Sequence, residues 1–180
     1  MNNIDLVFPN WTLELIRGDD EVLALAWLEE KRFDWCNIAY RFINNIINGY
    51  SIVICTDSKR NWFLRYVLQN INLNKGRPLI PIFDINTILP DSKINTQYIE
   101  DMLDIAFKNH TIWYVGKTDN NLATLAIEHP NSFIWAYDSN LHAAFNLNSN
   151  DLNSDIKLLQ LFRVLDRSID AIMFNEIILD

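Results

Sequence analysis

The feature that most constrains the fold is an apolar run followed by a turn without glycine and then by a helix. The run covers residues 50–55, is rich in β-branched residues and is too short for a helix, so it predicts a strand buried on both faces. Asp57 or Ser58 can cap the helix that follows, because a short side-chain oxygen accepts a free first-turn amide hydrogen. Apolar residues then recur at helical spacing, at Trp62, Phe63, Tyr66 and Val67. This strand–turn–helix unit is typical of a doubly wound α/β sheet.

The turn itself argues against the usual ligand of such a unit. In α/β enzymes a phosphate group binds there, on glycine amides at the N-terminus of the helix. Here the turn from Thr56 to Asn61 contains no glycine, and Asp57 places a negative charge where an anion would bind. The sequence therefore predicts the position of a nucleotide or sugar-phosphate site, with that site vacant.

Composition indicates one globular domain over residues 1–180. The chain is 49% hydrophobic and has only 4 glycines and 5 prolines, which argues for a real core and against disorder. The formal net charge of −8 repels nucleic-acid phosphates, so direct nucleic-acid binding by the whole surface is disfavoured. We expect the partner to be a protein or a small molecule.

Residues that commonly bind metals or act as nucleophiles are scattered along the chain. Cys36 and Cys55 lie in apolar segments, and neither has a cysteine or histidine at metal-ligand spacing. His110, His129 and His142 are also far apart. We therefore expect no metal site, no cofactor and no catalytic constellation.

The sequence also bears on where the protein works. The N-terminus has no basic region leading into an apolar run, so no signal peptide is predicted. No apolar stretch is long enough to cross a membrane. We expect a cytoplasmic protein without a membrane partner.

Two helices are predicted before the first strand, within about residues 8–48. The first covers residues 8–17 and ends at Gly18, and the second is expected to start at the acidic run 19–21 and to stop at Gly49. The early half of the second helix is apolar on more than one side, which is more than one small sheet would bury. It is either a core helix that covers a neighbouring element or part of a subunit interface, and we favour the interface.

Three further strands are predicted within residues 79–83, 111–115 and 132–137. Pro81 cannot donate a ladder hydrogen bond, which indicates a sheet edge or a bulge. Asp84 follows this strand and can bind a ribose or a metal in an enzyme, although capping the next loop is the commoner role. Lys117 can bind phosphate, but a lone Gly-Lys lacks the rest of a phosphate-binding loop.

The segments between these strands alternate helices with loops. One helix is expected after Gln97, with Ile99, Met102, Leu103 and Ala106 on one face, and a short one over residues 119–128. Residues 86–96 and 138–153 are expected to be polar loops. Strands and helices thus alternate over about residues 50–137.

The last helix, about residues 154–175, carries the strongest periodic signal in the chain. Its apolar stripe is wider than one packing face needs. We therefore expect this helix, like the second one, to form part of a subunit interface. Met173 and Phe174 are adjacent near its end, so both cannot face the same way. One packs on the core, and the other either binds a partner or packs on a sister subunit.

Short segments in unbroken order from about residue 27 to the C-terminus carry a family resemblance. They are Ser51 to Leu68 (with Asp57-Ser58, Trp62-Phe63-Leu64 and Leu68), Arg77-Pro78-Leu79, Trp113, Val115-Gly116-Lys117, Ser132-Phe133, Trp135 and Lys157 to Phe162. As an ordered set they resemble the HobA family of bacterial replication-initiation regulators. The first helix and the 86–96 and 138–153 segments match poorly.

The resemblance implies a three-layer α/β/α fold related to the SIS (sugar isomerase) domain, with a parallel sheet of four or five strands preceded by N-terminal helices. It also implies a homotetramer, a dimer of dimers, that binds the N-terminal domain of the initiator DnaA and promotes its assembly at the chromosomal origin. We therefore predict a non-catalytic adaptor.

The alternative is an SIS-type sugar-phosphate isomerase or sugar-phosphate-sensing domain, with Ser58 and Lys117 holding the phosphate. SIS domains that bind sugar phosphates need a small, hydroxyl-rich loop after the first strand. This sequence keeps Ser58 but has Asp57, Lys59 and Arg60 beside it.

The candidate partner-binding residues are ones that are not assigned to the core-facing apolar stripes of the helices: Phe174, Met173, Trp62 and Arg60. The Met173–Phe174 pair resembles the apolar pair that ends the last helix of DiaA, a protein similar to HobA, where DnaA is contacted.

Overall fold

A five-stranded parallel sheet forms the centre of the structure. The computed structural model describes residues 6–18, 25–73, 76–89 and 95–177. The strands are β1 (Ser51–Thr56), β2 (Ile82–Asp84), β3 (His110–Lys117), β4 (Ser132–Tyr137) and β5 (Ala144–Leu147). Their order in the sheet is β2-β1-β3-β4-β5, and every neighbouring pair is parallel. The α/β class and the parallel sheet predicted from the sequence are confirmed.

Helices cover both faces of this sheet. Those of the described residues are α1 (Val7–Gly18), α2 (Ala26–Ile47), α3 (Asn61–Asn70), α4 (Ile85–Ile88), α5 (Thr96–Ala106), α6 (Asn121–Glu128) and α7 (Ser154–Met173). Helices α1, α2, α3 and α7 contribute to one apolar core, and α4, α5 and α6 contribute to the other. Because both faces are covered, the central strands are continuously apolar rather than alternating.

The core under α2 and α7 is dominated by aromatic rings. Phe42 stacks on Phe133 with ring centroids 4.2 Å apart, and the rings of Trp35 and Trp135 lie 5.7 Å apart. Successive strand residues point to opposite faces, so Trp113 joins this aromatic core while Tyr114 enters the other. Aromatic pairs at these distances add to the stability that area burial alone supplies.

The second helix differs from its prediction in what covers its apolar surface. Its first described turn begins at Ala26, and the acidic start predicted at residues 19–21 lies outside the described residues. Its apolar surplus is largely covered within the chain, since Leu25 and Leu28 are buried in the core shared with α1 and α7. Gly49 ends the helix as predicted, with a φ of +78° that favours glycine and its amide bonded to Ile46.

Two short elements were missed in segments predicted to be loops. β5 has only four residues, and α4 is a single turn in which Asp84 caps the amide of Asn86. Neither is long enough to show the periodicity by which strands and helices are recognised. Pro81 immediately precedes β2, which is an edge strand, as the missing amide hydrogen predicts.

A buried arginine fixes the segment before β2 against the last helix. The side chain of Arg77 is fully buried; its Nη2 lies 2.6 Å from Asp166 Oδ1, and its Nη1 pairs with Asp170. Nη2 also donates to the carbonyl oxygen of Ile71 at 2.6 Å. This one side chain therefore connects three separate segments of the chain.

We predict that Arg77→Ala lowers the free energy of unfolding by about 2 kcal/mol, because it removes charge-assisted hydrogen bonds and leaves the Ile71 carbonyl unpaired. Arg41 is exposed on α2 and supplies the matched control, for which a change within about 0.5 kcal/mol is expected. Urea unfolding followed by circular dichroism measures both. Equal losses in the two variants would contradict the anchoring role of Arg77.

Candidate functional site

A cleft of about 800 Å³ lies at the carboxyl edge of the sheet. Its lining residues include the turn after β1, the end of β2 and the start of α6. The strand order changes direction between β1 and β3, because β2 lies on one side of β1 and the later strands lie on the other. Open α/β sheets bind ligands at such switch points. The cleft therefore occupies the position that the strand–turn–helix unit predicts for a ligand.

The carboxylate of Asp57 fills the anion position of this turn. Its Oδ1 accepts the amide hydrogen of Arg60 at 3.0 Å. Its Oδ2 accepts from Arg60 Nη1 at 2.7 Å and from the amide of Lys117 at 2.8 Å. Amide and guanidinium donors of this kind are those that bind phosphate oxygens in α/β enzymes. Here an internal carboxylate satisfies them. Asp57 caps the single 3-10 turn of residues 58–60 that leads into α3, whereas the prediction placed the cap on the helix itself.

Gly116 makes room for this carboxylate. A Cβ atom at Gly116 would lie 2.8 Å from Asp57 Cγ and 2.7 Å from the hydroxyl oxygen of Tyr114. Such distances are closer than van der Waals contact allows, so any larger residue would displace the Asp57 side chain. The Gly116-Lys117 pair thus accommodates the Asp57 carboxylate, because Gly116 has no side chain and the amide of Lys117 donates to it.

The Lys117 ammonium is directed to the end of β4. Its Nζ lies 2.9 Å from Asp138 Oδ2. Asp138 also accepts from the amide and the hydroxyl of Ser149, at 2.8 Å and 2.6 Å. The hydrogen bonds from Ser149 and from Lys117 lower the pKa of Asp138 well below its ordinary value. Lys117 is therefore paired within the chain.

Arg60 is positioned by the same turn. Arg60 is only 6% exposed, and its guanidinium lies 3.9 Å from the centre of the Tyr137 ring. With its ion pair to Asp57, the side chain is bound to the turn after β1 and to β4 instead of lying on an open surface. The sequence proposes Arg60 as a partner-binding residue; the structure gives it an internal role because a cation beside a carboxylate and an aromatic ring can be buried.

The remaining cleft residues provide few groups for catalysis. Asp84 Oδ1 accepts the amide hydrogen of Asn86 at 2.8 Å, so Asp84 has the capping role. The described lining consists mainly of amide, hydroxyl and carboxylate side chains around Arg65. Among the described residues, no group of three or more His, Cys, Asp and Glu side chains is placed to hold a metal. In the same residues no helix is long and apolar enough to span a membrane.

The other candidate partner-binding residues lie on α3 and at the end of α7. Met173 packs against the aromatic core, while Phe174 is 52% exposed, so the two adjacent residues diverge as predicted. Trp62 is 37% exposed and meets the Phe63 ring at 5.7 Å. Phe174 and Trp62 are thus partly open to solvent.

We predict that Asp57→Ala lowers the free energy of unfolding by about 2 kcal/mol, since it removes a cap and leaves the Lys117 amide and the Arg60 guanidinium without their acceptor. Asp119 lines the same cleft and is exposed, so Asp119→Ala is the control and is expected to change stability by less than about 0.5 kcal/mol. Urea unfolding measures both. A tolerated Asp57→Ala would contradict the bridging role of the carboxylate.

Comparisons with known proteins agree with this architecture. The family model of HobA, a DNA replication regulator, matches residues 1–179. The DNA replication regulator protein HobA of Helicobacter pylori is 30% identical over 177 residues, which cover 96% of this chain and 98% of that protein. Two crystal structures from Helicobacter pylori, HobA and a HobA-DnaA (domain I-II) complex, each match with a TM-score of 0.79, 30% identity and 99% coverage of both chains. This chain belongs to the HobA family of DNA replication regulators.

Proposed function

We propose that this protein is a non-catalytic adaptor that binds the N-terminal domain of DnaA and, as an oligomer, promotes DnaA assembly at the chromosomal origin. The observation that carries the proposal is the solved complex of a HobA protein with domain I-II of DnaA. That HobA is similar to this chain over 99% of its length, with a TM-score of 0.79. Because fold and family are shared over the whole chain, the same partner is expected.

The carboxyl edge of the sheet supports a role without catalysis. A sugar-phosphate isomerase or sensor needs open donors at the turn after β1, and here Asp57 accepts from the Arg60 and Lys117 amides. The two thiols are also poor nucleophiles: burial raises the pKa of Cys36 to about 11 and that of Cys55 further still. These observations favour the adaptor over the isomerase.

Exposed apolar side chains on α2 and α7 support the oligomer. Phe33 and Ile47 on α2 are 46% and 48% exposed, and Ile156 on α7 is 55% exposed. Most other apolar residues of these helices are buried within the chain, so the exposed ones are the groups that association would cover. The proposed assembly is a homotetramer built as a dimer of dimers.

The proposal is tested by titrating the purified protein with the purified N-terminal domain of DnaA in a calorimeter. Saturable binding is expected, and a flat titration with both proteins folded would contradict the adaptor role. Sedimentation of the protein alone at micromolar concentration tests the tetramer. A monomer under those conditions would remove the assembly part of the proposal.

Phe174 is the proposed contact residue that the structure makes most accessible. We predict that Phe174→Ala weakens binding of the DnaA N-terminal domain about thirtyfold, since a large aromatic at an interface often contributes about 2 kcal/mol. Tyr98→Ala is the matched control, because Tyr98 is a 54% exposed aromatic on α5, across the sheet from α7.

Calorimetry and sedimentation of both variants separate two roles of Phe174. Weaker binding with an intact oligomer supports a partner contact. Unchanged affinity excludes that contact, and a dissociated oligomer assigns the side chain to a subunit interface instead.

A further inference from the structure

Two histidines that the proposed function does not use lie against each other at the amino edge of the sheet. His110 is the first residue of β3, and His129 follows α6 just before β4. Their ring centroids are 4.6 Å apart, with 36° between the ring planes. The two residues are only 4% and 8% exposed. Nothing in their spacing along the chain indicates this contact.

The hydrogen bonds around the pair suit neutral rings. His129 Nδ1 accepts the amide hydrogen of Asn131 at 3.2 Å, which leaves the proton of the neutral ring on Nε2. A second proton, on Nδ1, would remove that acceptor. His110 Nε2 is buried and has no hydrogen-bond partner among the described residues. A charge on this ring would be poorly solvated.

The charged groups that face the pair come from α5. Asp104 Oδ1 is 3.8 Å from His110 Nδ1, too far for a hydrogen bond, and the Asp104 side chain is 68% exposed. The Asp104 carboxylate raises the pKa of both histidines, and the Glu100 carboxylate also raises the pKa of His129. On the other elements, Lys108 before β3 and Glu128 at the end of α6 are exposed, and the adjacent strand residues are uncharged.

Burial has a larger effect on the pKa of each histidine than these carboxylates have. It lowers the pKa of both histidines below the ordinary value, and for His110 the neighbouring imidazole lowers it further. The folded protein therefore binds fewer protons than the unfolded chain once the pH falls towards the ordinary histidine range of about 6.5.

The pair lies between two connections that hold the strand ends. The carbonyl oxygen of Asn109 accepts from the amide of Ser51 at 3.0 Å, at the start of β1. The carbonyl oxygen of Asn131 accepts from the amide of Ile112 at 3.1 Å, in β3. The two imidazoles thus pack at the junction of the α5–β3 and α6–β4 connections.

We propose that the contact between His110 and His129 is an acid-sensitive junction: the neutral rings pack together, and a proton on either ring separates them and loosens α5 and α6 from the sheet. Stability falls as the pH drops through the ordinary histidine range, because protonation favours states in which the rings are exposed. Each additional proton taken up on unfolding raises the unfolding equilibrium constant by up to about tenfold per pH unit.

Urea unfolding between pH 7.5 and 5.0, at one protein concentration, tests this with three chains. They are the unaltered protein, His129→Gln and His142→Gln; His142 is an exposed histidine and serves as the control. Between pH 7 and 5.5 the unfolding constant of the unaltered protein is expected to rise about fivefold or more beyond that of His129→Gln. His142→Gln is expected to follow the unaltered protein. Equal rises in the unaltered protein and His129→Gln would overturn the proposal.

Hydrogen exchange of the unaltered protein supplies a test that needs no variant. After correction for the intrinsic pH dependence of exchange, amides of residues 107–113 and 129–134 are expected to lose protection by about tenfold between pH 7 and 5.5. Amides of α2 and α7 that exchange only through global unfolding are expected to lose protection by no more than the rise in the unfolding constant. No loss at residues 107–113 and 129–134 would show that the histidine pair does not act as an acid-sensitive junction.

Discussion

The hydrogen bonds of the Asp57 carboxylate determine what the carboxyl edge of the sheet can do. They join the turn after β1 to the amide of Lys117 in β3, and through Arg60 they bring in Tyr137 of β4. The ends of three neighbouring strands are thereby connected by groups of the protein itself. In an enzyme of this architecture the same donors would stay open for a substrate anion. Their internal satisfaction favours a protein that works by presenting a fixed surface.

How far the fold follows from the sequence depends on the length of each element. The long apolar runs that become β1, β3 and β4, and the wide stripe that becomes α7, can be recognised without a structure. β5 and α4 are too short to show a period, and the cover that α1 and α7 give to α2 is a tertiary contact. Sequence periodicity shows which face of a helix is apolar, but it does not show what covers that face.

In the candidate site, too, local features can be predicted from the sequence and tertiary contacts cannot. Capping by Asp57 is local and was predictable, whereas its bond to the Lys117 amide spans sixty residues and depends on the missing side chain of Gly116. Arg60 looks like a surface cation in the sequence, and only its two partners explain its burial. The divergence of Met173 and Phe174 follows from helix geometry alone. The partner itself came from the family resemblance, since no single motif encodes it.

The central claim is that an internal carboxylate occupies the anion site of this fold. Calorimetric titration of the unaltered protein with glucose 6-phosphate and fructose 6-phosphate tests it most directly, because a phosphate would have to compete with Asp57 for the same donors. The account predicts no saturable heat for either compound. Saturable binding that is lost in Ser58→Ala would contradict it, since Ser58 is a hydroxyl-bearing residue of the turn that lines the cleft beside Asp57.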